Sequence, residues 1–483
     1  MTEELYGSLW IAGESTNAAS GDTFPVLDPA TQQVIGQIQS GEQSDIDRAV
    51  EAAQAAFSSQ EWRDLEAHER GRLLFRLANK IQEHQDRIAR LLSLENGKTL
   101  SQAYDEVGTT IRNFEYYAGW ADKVLGSVVP ISEKVFDYIV HEPLGVVGHI
   151  TPWNYPLDIF ARGVAPCLAV GNTVVAKPAE ETPFSTLEIA RLATEVGFPD
   201  GVINVVTGTG SLAGAALSGH SDIQALAFCG SVATGQEVLH SAARQITPIV
   251  SLELGGKSPL LLFDDGDVER AAESAAYGIC YNTGQSCGAL SRFLVPTRLY
   301  DKVMEILRNT LASIRLGRGL DQPDMGPLVS QKQLERVLGY IEAGKQEGAS
   351  VEYGGGLAQE EELNRGFFVK PTLFGGAKPG MRIIEEEIFG PVIAVLTFDS
   401  EEEAVEKANA SNYGLSAEIW THNLSRAHRV ARQLDVSHVT INGGGGFGVQ
   451  APFGGVKQSG FGREGGWESI LQYSRVKNVW INL

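Results

Sequence analysis

Of the four cysteines in this 483-residue chain, Cys287 stands where packing does not call for one. It lies in Asn282-Thr-Gly284-Gln285-Ser-Cys287-Gly288, a polar, glycine-bracketed turn just past a helical pattern. A free cysteine is ordinarily a buried small hydrophobe; Cys167 and Cys280, inside apolar helical patterns, fit that description. A loop thiol with open backbone N–H groups nearby can instead be a nucleophile, provided that something lowers its pKa or removes its proton. The candidate base is Glu253 in Ile249-Val-Ser-Leu-Glu253-Leu-Gly255-Gly256-Lys257, which reads as a buried strand with one carboxylate and two closing glycines. Apolar neighbours raise a carboxyl pKa and let it accept a proton near neutrality. The plainer alternative is a strand-end glutamate held by Lys257 or by solvent. The separation of 34 positions (287 − 253) suits opposite sides of one cleft.

Two glycine loops could face a phosphate. Gly208-Thr-Gly210-Ser-Leu-Ala-Gly214 follows a strand and precedes a helix, but its third glycine is one position out of GxGxxG, and an ordinary βα turn fits equally well. Gly230-Ser231-Val-Ala-Thr-Gly235 also opens a helix. Without a following Lys-Ser/Thr it is not an NTPase phosphate loop, yet such a helix N-terminus can present N–H groups to a pyrophosphate. The cysteines form no CxxC pair and have no histidine at zinc spacing, which disfavours a disulfide framework and a structural metal.

The elements that must position these residues follow from patterning. A helix opens at Ser44 as N-cap, with Ile46, Ala49, Val50, Ala53 and Phe57 on one face, and a longer one runs from Leu65 through Leu92. Residues 124–140 suggest an extended hairpin. From Leu144 the rhythm is strand, loop, helix: strands at 145–150, 173–176, 202–206, 225–228 and 249–254, helices at 183–196 and 211–217. A second such series occupies 256–442, with strands at 260–263, 293–295 and 392–398 and helices from Asp267 and near Tyr300; a last strand falls at 476–483. Alternating strands and helices predict α/β folding around parallel sheets covered on both faces. The length exceeds one compact core, so two or three domains are expected. With 39 basic and 60 acidic residues the net charge is −21, which argues against nucleic-acid or membrane-surface partners. The N-terminus has no basic or apolar leader pattern, and the longest apolar stretch, 165–176, is interrupted by Asn172 and Thr173; a cytoplasmic location is expected.

Several segments together resemble the aldehyde dehydrogenase superfamily. Glu253-Leu-Gly-Gly-Lys-Ser-Pro259 and Gly284-Gln-Ser-Cys287 are similar to its two active-site signatures. Thr151-Pro-Trp-Asn154-Tyr-Pro, Lys177-Pro-Ala-Glu180, Gly230-Ser231, Glu386-Glu387-Ile-Phe389-Gly-Pro391 and Pro452-Phe-Gly-Gly-Val-Lys457-Gln-Ser-Gly460-Phe-Gly-Arg-Glu464 follow in the family's order. The likeness runs from about Asp28 to the C-terminus. It implies an NAD(P)-dependent dehydrogenase of the non-acylating, hydrolytic branch. Cys287 would attack an aldehyde, and the Asn154 amide and the Cys287 N–H would hold the oxyanion. Oxidation of the thiohemiacetal would leave a thioester, and Glu253 would activate the water that hydrolyses it. Lys177 and Glu180 would contact the adenosine ribose, Gly230 and Ser231 the pyrophosphate, and Glu387 the nicotinamide ribose. Phe389 and Trp153 would flank the nicotinamide end. Glu180 favours NAD because a carboxylate accepts from ribose hydroxyls and repels a 2′-phosphate; NADP remains possible in such members.

The resemblance also implies three parts. A Rossmann-like cofactor domain would take 1–124 and 144–255, and an α/β catalytic domain 256–457. An oligomerisation arm with the C-terminal segment, 125–143 and 458–483, would serve a homodimer or homotetramer. In the helix after Asn154, Tyr155 and Arg162 would line the substrate pocket, Arg162 receiving a polar or anionic group; the plainer reading is an Asp158–Arg162 ion pair at i, i+4. Phe447 would be a pocket wall. Small residues at Ser286, Gly288 and 443–446 imply room for a bulky or aromatic aldehyde. Two alternatives stay open: a CoA-acylating relative, which Glu253 argues against, and a catalytically silent binding protein, against which stand Cys287, Asn154 and Glu253.

Overall fold

The computed structural model describes residues 5–444 and 448–483. Five fully or largely buried apolar strands make the centre of its larger sheet, all parallel: Ile249–Glu253, Ala225–Cys229, Val146–Ile150, Thr173–Lys177 and Ile203–Val205, in that spatial order. Chain order reverses between Val146–Ile150 and Ala225–Cys229. In an open α/β sheet this switch point leaves a crevice at the carboxyl ends of the strands. Leu9–Ile11, followed by Glu14–Thr16, closes one edge and Gly460–Phe461 the other, both antiparallel to their neighbours.

The second sheet runs Ser350–Tyr353, Thr372–Gly375, Val392–Phe398, Arg292–Pro296, Pro259–Leu262, Ser416–Trp420, His438–Ile441, parallel except for its first pair. The hairpin Ser127–Ser132 and Val135–Pro143 takes Ser474–Asn482 as a third, antiparallel strand along nine residue pairs. The C-terminal segment therefore divides: residues 460–461 complete the first sheet's edge beside Leu252 and Glu253, and only the strand after Tyr473 joins the arm.

The helix Pro156–Val170 runs through the core of the first layer, almost wholly buried. Proline at its start costs no hydrogen bond, and Gly171 in the left-handed conformation ends it. Gly163 must lack a side chain, since a Cβ there would collide with the His149 ring on the adjoining strand.

Two expected elements differ. The first helix spans Gln43–Ser58, starting before Ser44: buried Asp45 accepts from the Glu42 and Ala19 N–H groups, both at 3.0 Å, so this carboxylate and not the Ser44 hydroxyl closes the entry. The helix expected from Leu65 is two, Ala67–Glu83 and Gln85–Asn96, broken at His84; Ile81 and Ile88 stay buried across the break, so the apolar pattern hides it. Among the described residues, no helix is long and apolar enough to cross a membrane.

Candidate active site

The residues singled out in the first sheet all stand at the carboxyl ends of its parallel strands. Trp153 and Asn154 follow Val146–Ile150, Lys177 ends Thr173–Lys177 with Glu180 just beyond, Gly230 and Ser231 follow Ala225–Cys229, and Glu253 ends Ile249–Glu253. Cys287, Glu387 and Phe389 come from loops before strands of the second sheet, Arg292–Pro296 and Val392–Phe398.

The nucleophile loop is tightly built. Helix Val268–Cys280 gives way to a turn in which Asn282 and Thr283 hold φ of +47° and +56°, a region costly for side-chain-bearing residues. Their hydrogen bonds maintain it: Asn282 Nδ2 donates to the Asn154 and Gln285 carbonyls (2.9 and 3.1 Å), Thr283 Oγ1 to the Gly326 carbonyl (3.0 Å), and Gln285 Oε1 accepts from Val329 N (3.0 Å). Asn154, itself buried, donates its amide Nδ2 to the Gln285 carbonyl at 3.1 Å. The oxyanion candidate thus meets the loop two residues before Cys287.

Cys287 is a half-buried residue, and burial pushes its thiol pKa up to about 12, with the Arg162 cation pulling the other way. Glu253 is buried and neither carboxylate oxygen has a hydrogen-bond partner among the described residues. Burial first, and then the charge of Glu464, raises its pKa well above the ordinary carboxylate value. A carboxyl so shifted holds its proton more tightly than an ordinary one and is the stronger base once ionised.

Arg162 is already engaged. Its guanidinium lies 2.7 Å from Glu464 and 3.7 Å from Asp158, and 5.1 Å from the centre of the Phe453 ring. Burial works against the cation, and the two carboxylates more than offset it. The i, i+4 pair is thus the longer contact, and Glu464, 302 positions away (464 − 162), is the nearer partner. Both carboxylates thus hold the cation, while its Nε has no hydrogen-bond partner among the described residues. Tyr155 lies next to Lys98, whose Nζ is 4.4 Å from its ring centre, and burial raises its phenol pKa. Phe447 lies outside the described residues.

On the nucleotide side, Glu180 accepts from Gly210 N at 2.5 Å and from Lys177 Nζ at 3.3 Å. The glycine loop 208–214, ambiguous as a fingerprint, therefore abuts Glu180. Ser231 caps helix Val232–Gln245, accepting from Thr234 N at 3.3 Å, so the helix start opens at the switch-point crevice. Gly230 N donates to the Glu253 carbonyl at 3.0 Å. Glu387 accepts from Gly256 N at 2.9 Å. Phe389, at φ +63°, packs edge-on against Trp153 with ring centres 5.4 Å apart. Gln333 holds the Phe389 carbonyl (2.6 Å), and Arg336 those of Ile388 (3.1 Å) and Glu387.

Gln333 and Arg336 lie outside every motif, and the contacts of Asn282 and Gln285 were not legible in theirs, because each acts on a backbone carbonyl or amide rather than on a signature side chain. Lys257, in the Glu253 motif, is buried with no partner for its Nζ among the described residues, and burial pushes it down to about 7. No group of three or more His, Cys, Asp or Glu among the described residues could hold a metal ion.

Comparison with known proteins places the whole chain. The model of the aldehyde dehydrogenase family matches residues 16–479. The mitochondrial aldehyde dehydrogenase of Equus caballus is 44% identical, covering 100% of this chain and 96% of its own. Among solved structures, the NAD+ complex of an aldehyde dehydrogenase from Bacillus cereus matches with a TM-score of 0.97 at 46% identity, over 100% of this chain and 97% of that one. The betaine aldehyde dehydrogenase of Staphylococcus aureus in complex with NAD+ matches with a TM-score of 0.97 at 39% identity, over 98% and 94%.

Proposed function

The chain belongs to the aldehyde dehydrogenase family, and from that premise we propose that it oxidises an aldehyde to a carboxylic acid with NAD+, NADP+ being a possible substitute. The observation that carries this reading is the contact of the Asn154 amide with the Gln285 carbonyl, at 3.1 Å, which sets an oxyanion donor against the loop of a half-buried, free cysteine. Cys287, its thiol proton released to solvent, adds as the thiolate to the aldehyde carbon while Asn154 Nδ2 and the Cys287 N–H receive the oxygen; removing one such donor typically costs about 10²–10³ in rate. Trp153 and Phe389 would flank the nicotinamide of a bound cofactor, which would supply the acceptor for the hydride leaving that carbon. The acyl group then rests on Cys287 as a thioester. Glu253, unpartnered and with a raised pKa, takes a proton from the water that cleaves it.

The residues present fit the cofactor. Glu180 and Lys177 would hold the adenosine ribose, the capped helix start at Ser231 the pyrophosphate, and Glu387 with Phe389 and Trp153 the nicotinamide end. The pocket favours bulky, including aromatic, aldehydes: Ser286 and Gly288 flank the nucleophile, and Tyr155 supplies an aromatic wall. A homodimer or homotetramer in the cytoplasm completes the proposal.

The test is cofactor reduction by purified protein with NAD+ and then NADP+, across aliphatic and aromatic aldehydes without CoA, beside Cys287→Ala. Reduction that vanishes in the variant supports the reading. Dependence on CoA would move the chain to the acylating branch, and acetaldehyde outperforming benzaldehyde in kcat/KM would overturn the bulky-substrate assignment.

A further inference from the structure

A buried ion pair that makes no contact with Cys287 or Glu253 holds the segment carrying Asn154. Lys98 follows the helix Gln85–Asn96 and Glu106 lies in the helix Leu100–Ala118; both side chains are 1% exposed. Lys98 Nζ pairs with one Glu106 oxygen and donates to the Asn154 carbonyl at 2.8 Å. The other Glu106 oxygen accepts from Leu157 N (2.9 Å) and Asp158 N (3.3 Å), the first turn of Pro156–Val170. That helix has no side-chain cap of its own, so Glu106 supplies it from another element. Asn96 Nδ2 adds a bond to the Trp153 carbonyl at 2.6 Å.

Desolvating two charges this deeply costs more than their attraction commonly returns, and apolar residues of like volume often serve stability as well or better. Here the bonds left over from the pair go to the Asn154 carbonyl and to the N–H groups of Leu157 and Asp158 just after it. The Asn154 carbonyl is further gripped from the nucleophile loop by Asn282. The amide of Asn154 is thereby suspended between the loop after Asn96 and the loop before Cys287.

We propose that Lys98 and Glu106 are positioning residues that set the Asn154 amide for the oxyanion, acting on bond formation at Cys287 rather than on cofactor affinity. The proposal rests on the reading of Asn154 as oxyanion donor. A misplacement of about 1 Å suffices to cost about 10²-fold in rate.

The experiment is a double-mutant cycle in the full-length protein: Lys98→Met/Glu106→Leu, which leaves no unpaired buried charge, with and without Asn154→Ala. Three quantities are read: the rate of the first-turnover burst of reduced cofactor, NAD+ affinity by fluorescence quenching, and Tm. The expected result is a burst slowed at least about 10-fold with NAD+ affinity unchanged, and a further slowing of no more than about 2-fold when Asn154 is already alanine. Equal slowing in both backgrounds, or none in either, overturns the proposal while leaving the role of Asn154 intact. An undiminished burst in Asn154→Ala alone overturns the underlying reading and the proposal with it. Should the double variant not fold, Lys98→Arg takes its place in the same cycle: slowing confined to the Asn154 background supports the proposal, and slowing in both overturns it.

Discussion

The carbonyl oxygen of Cys287 rests against Gly256 so closely that a Cβ on that glycine would collide with it. Its neighbour Gly255 admits the Glu387 carboxylate in the same way. One strand end thus receives the nucleophile loop and the loop expected at the nicotinamide ribose, at consecutive positions.

Alanine at the two glycines should therefore separate two effects. Gly256→Ala lowers kcat by about 10²-fold through displacement of the thiol, with the KM for NAD+ little changed. Gly255→Ala raises the KM for NAD+ about 10-fold by pushing Glu387 aside, since losing one charge-assisted bond costs about 1.5 kcal/mol or more. Steady-state kinetics with each substrate varied in turn distinguishes them.

Activity should climb with pH. Cys287 is raised to about 12 and Glu253 well above its ordinary value, so each keeps its proton longer than usual and the reactive, unprotonated forms grow as pH increases. Stopped-flow rates from pH 6 to 9 should rise without an acid-side optimum. Glu253→Gln should retain a burst of about one equivalent of reduced cofactor, with steady turnover falling by about 10²–10⁴.

Lys257 supplies a stability test with a definite sign. Its folded pKa of about 7 is below the 10.5 of a free lysine, so between these values the unfolded chain binds the extra proton and stability rises with pH. The buried, unpartnered amine costs most at pH 7 and below. Lys257→Met should raise Tm relative to the parent at pH 6.5, by up to about 5 kcal/mol in stability, and the difference should shrink as pH approaches 10. A difference flat in pH would refute this origin.

Glu180→Gln removes the negative charge that accepts from Gly210 and Lys177. The ratio of kcat/KM for NAD+ over NADP+ should fall about 10-fold or more, because repulsion of a 2′-phosphate goes with the charge. An unchanged ratio would place discrimination elsewhere.

Much of this arrangement was legible in the chain, and the rest was hidden for identifiable reasons. The strand Val392–Phe398 is marked to the residue by its apolar run between a proline and an acidic turn. Val268–Cys280 is marked by Asp267, whose side chain accepts from Arg270 N. The short edge strands Leu9–Ile11 and Gly460–Phe461 carry too few residues for any period to emerge. The Glu464 partner of Arg162 and the Glu106 contacts on Leu157 and Asp158 depend on tertiary closure across long separations, which local spacing does not encode. Near Arg162 the i, i+4 rule found Asp158 and missed the nearer carboxylate for that reason.

The larger sheet borrows its two borders from distant parts of the polypeptide, Leu9–Ile11 with Glu14–Thr16 on one side and Gly460–Phe461 on the other. A ribosome delivers them hundreds of residues apart, so a nascent chain exposes the free side of Ile249–Glu253 until residues 460–461 have been made. An uncovered strand edge is adhesive to other chains. Slowing synthesis should thus raise the soluble yield less than keeping incomplete chains apart, and a product released before residue 460 would carry Asn154 and Glu253 on an unfinished, aggregation-prone sheet.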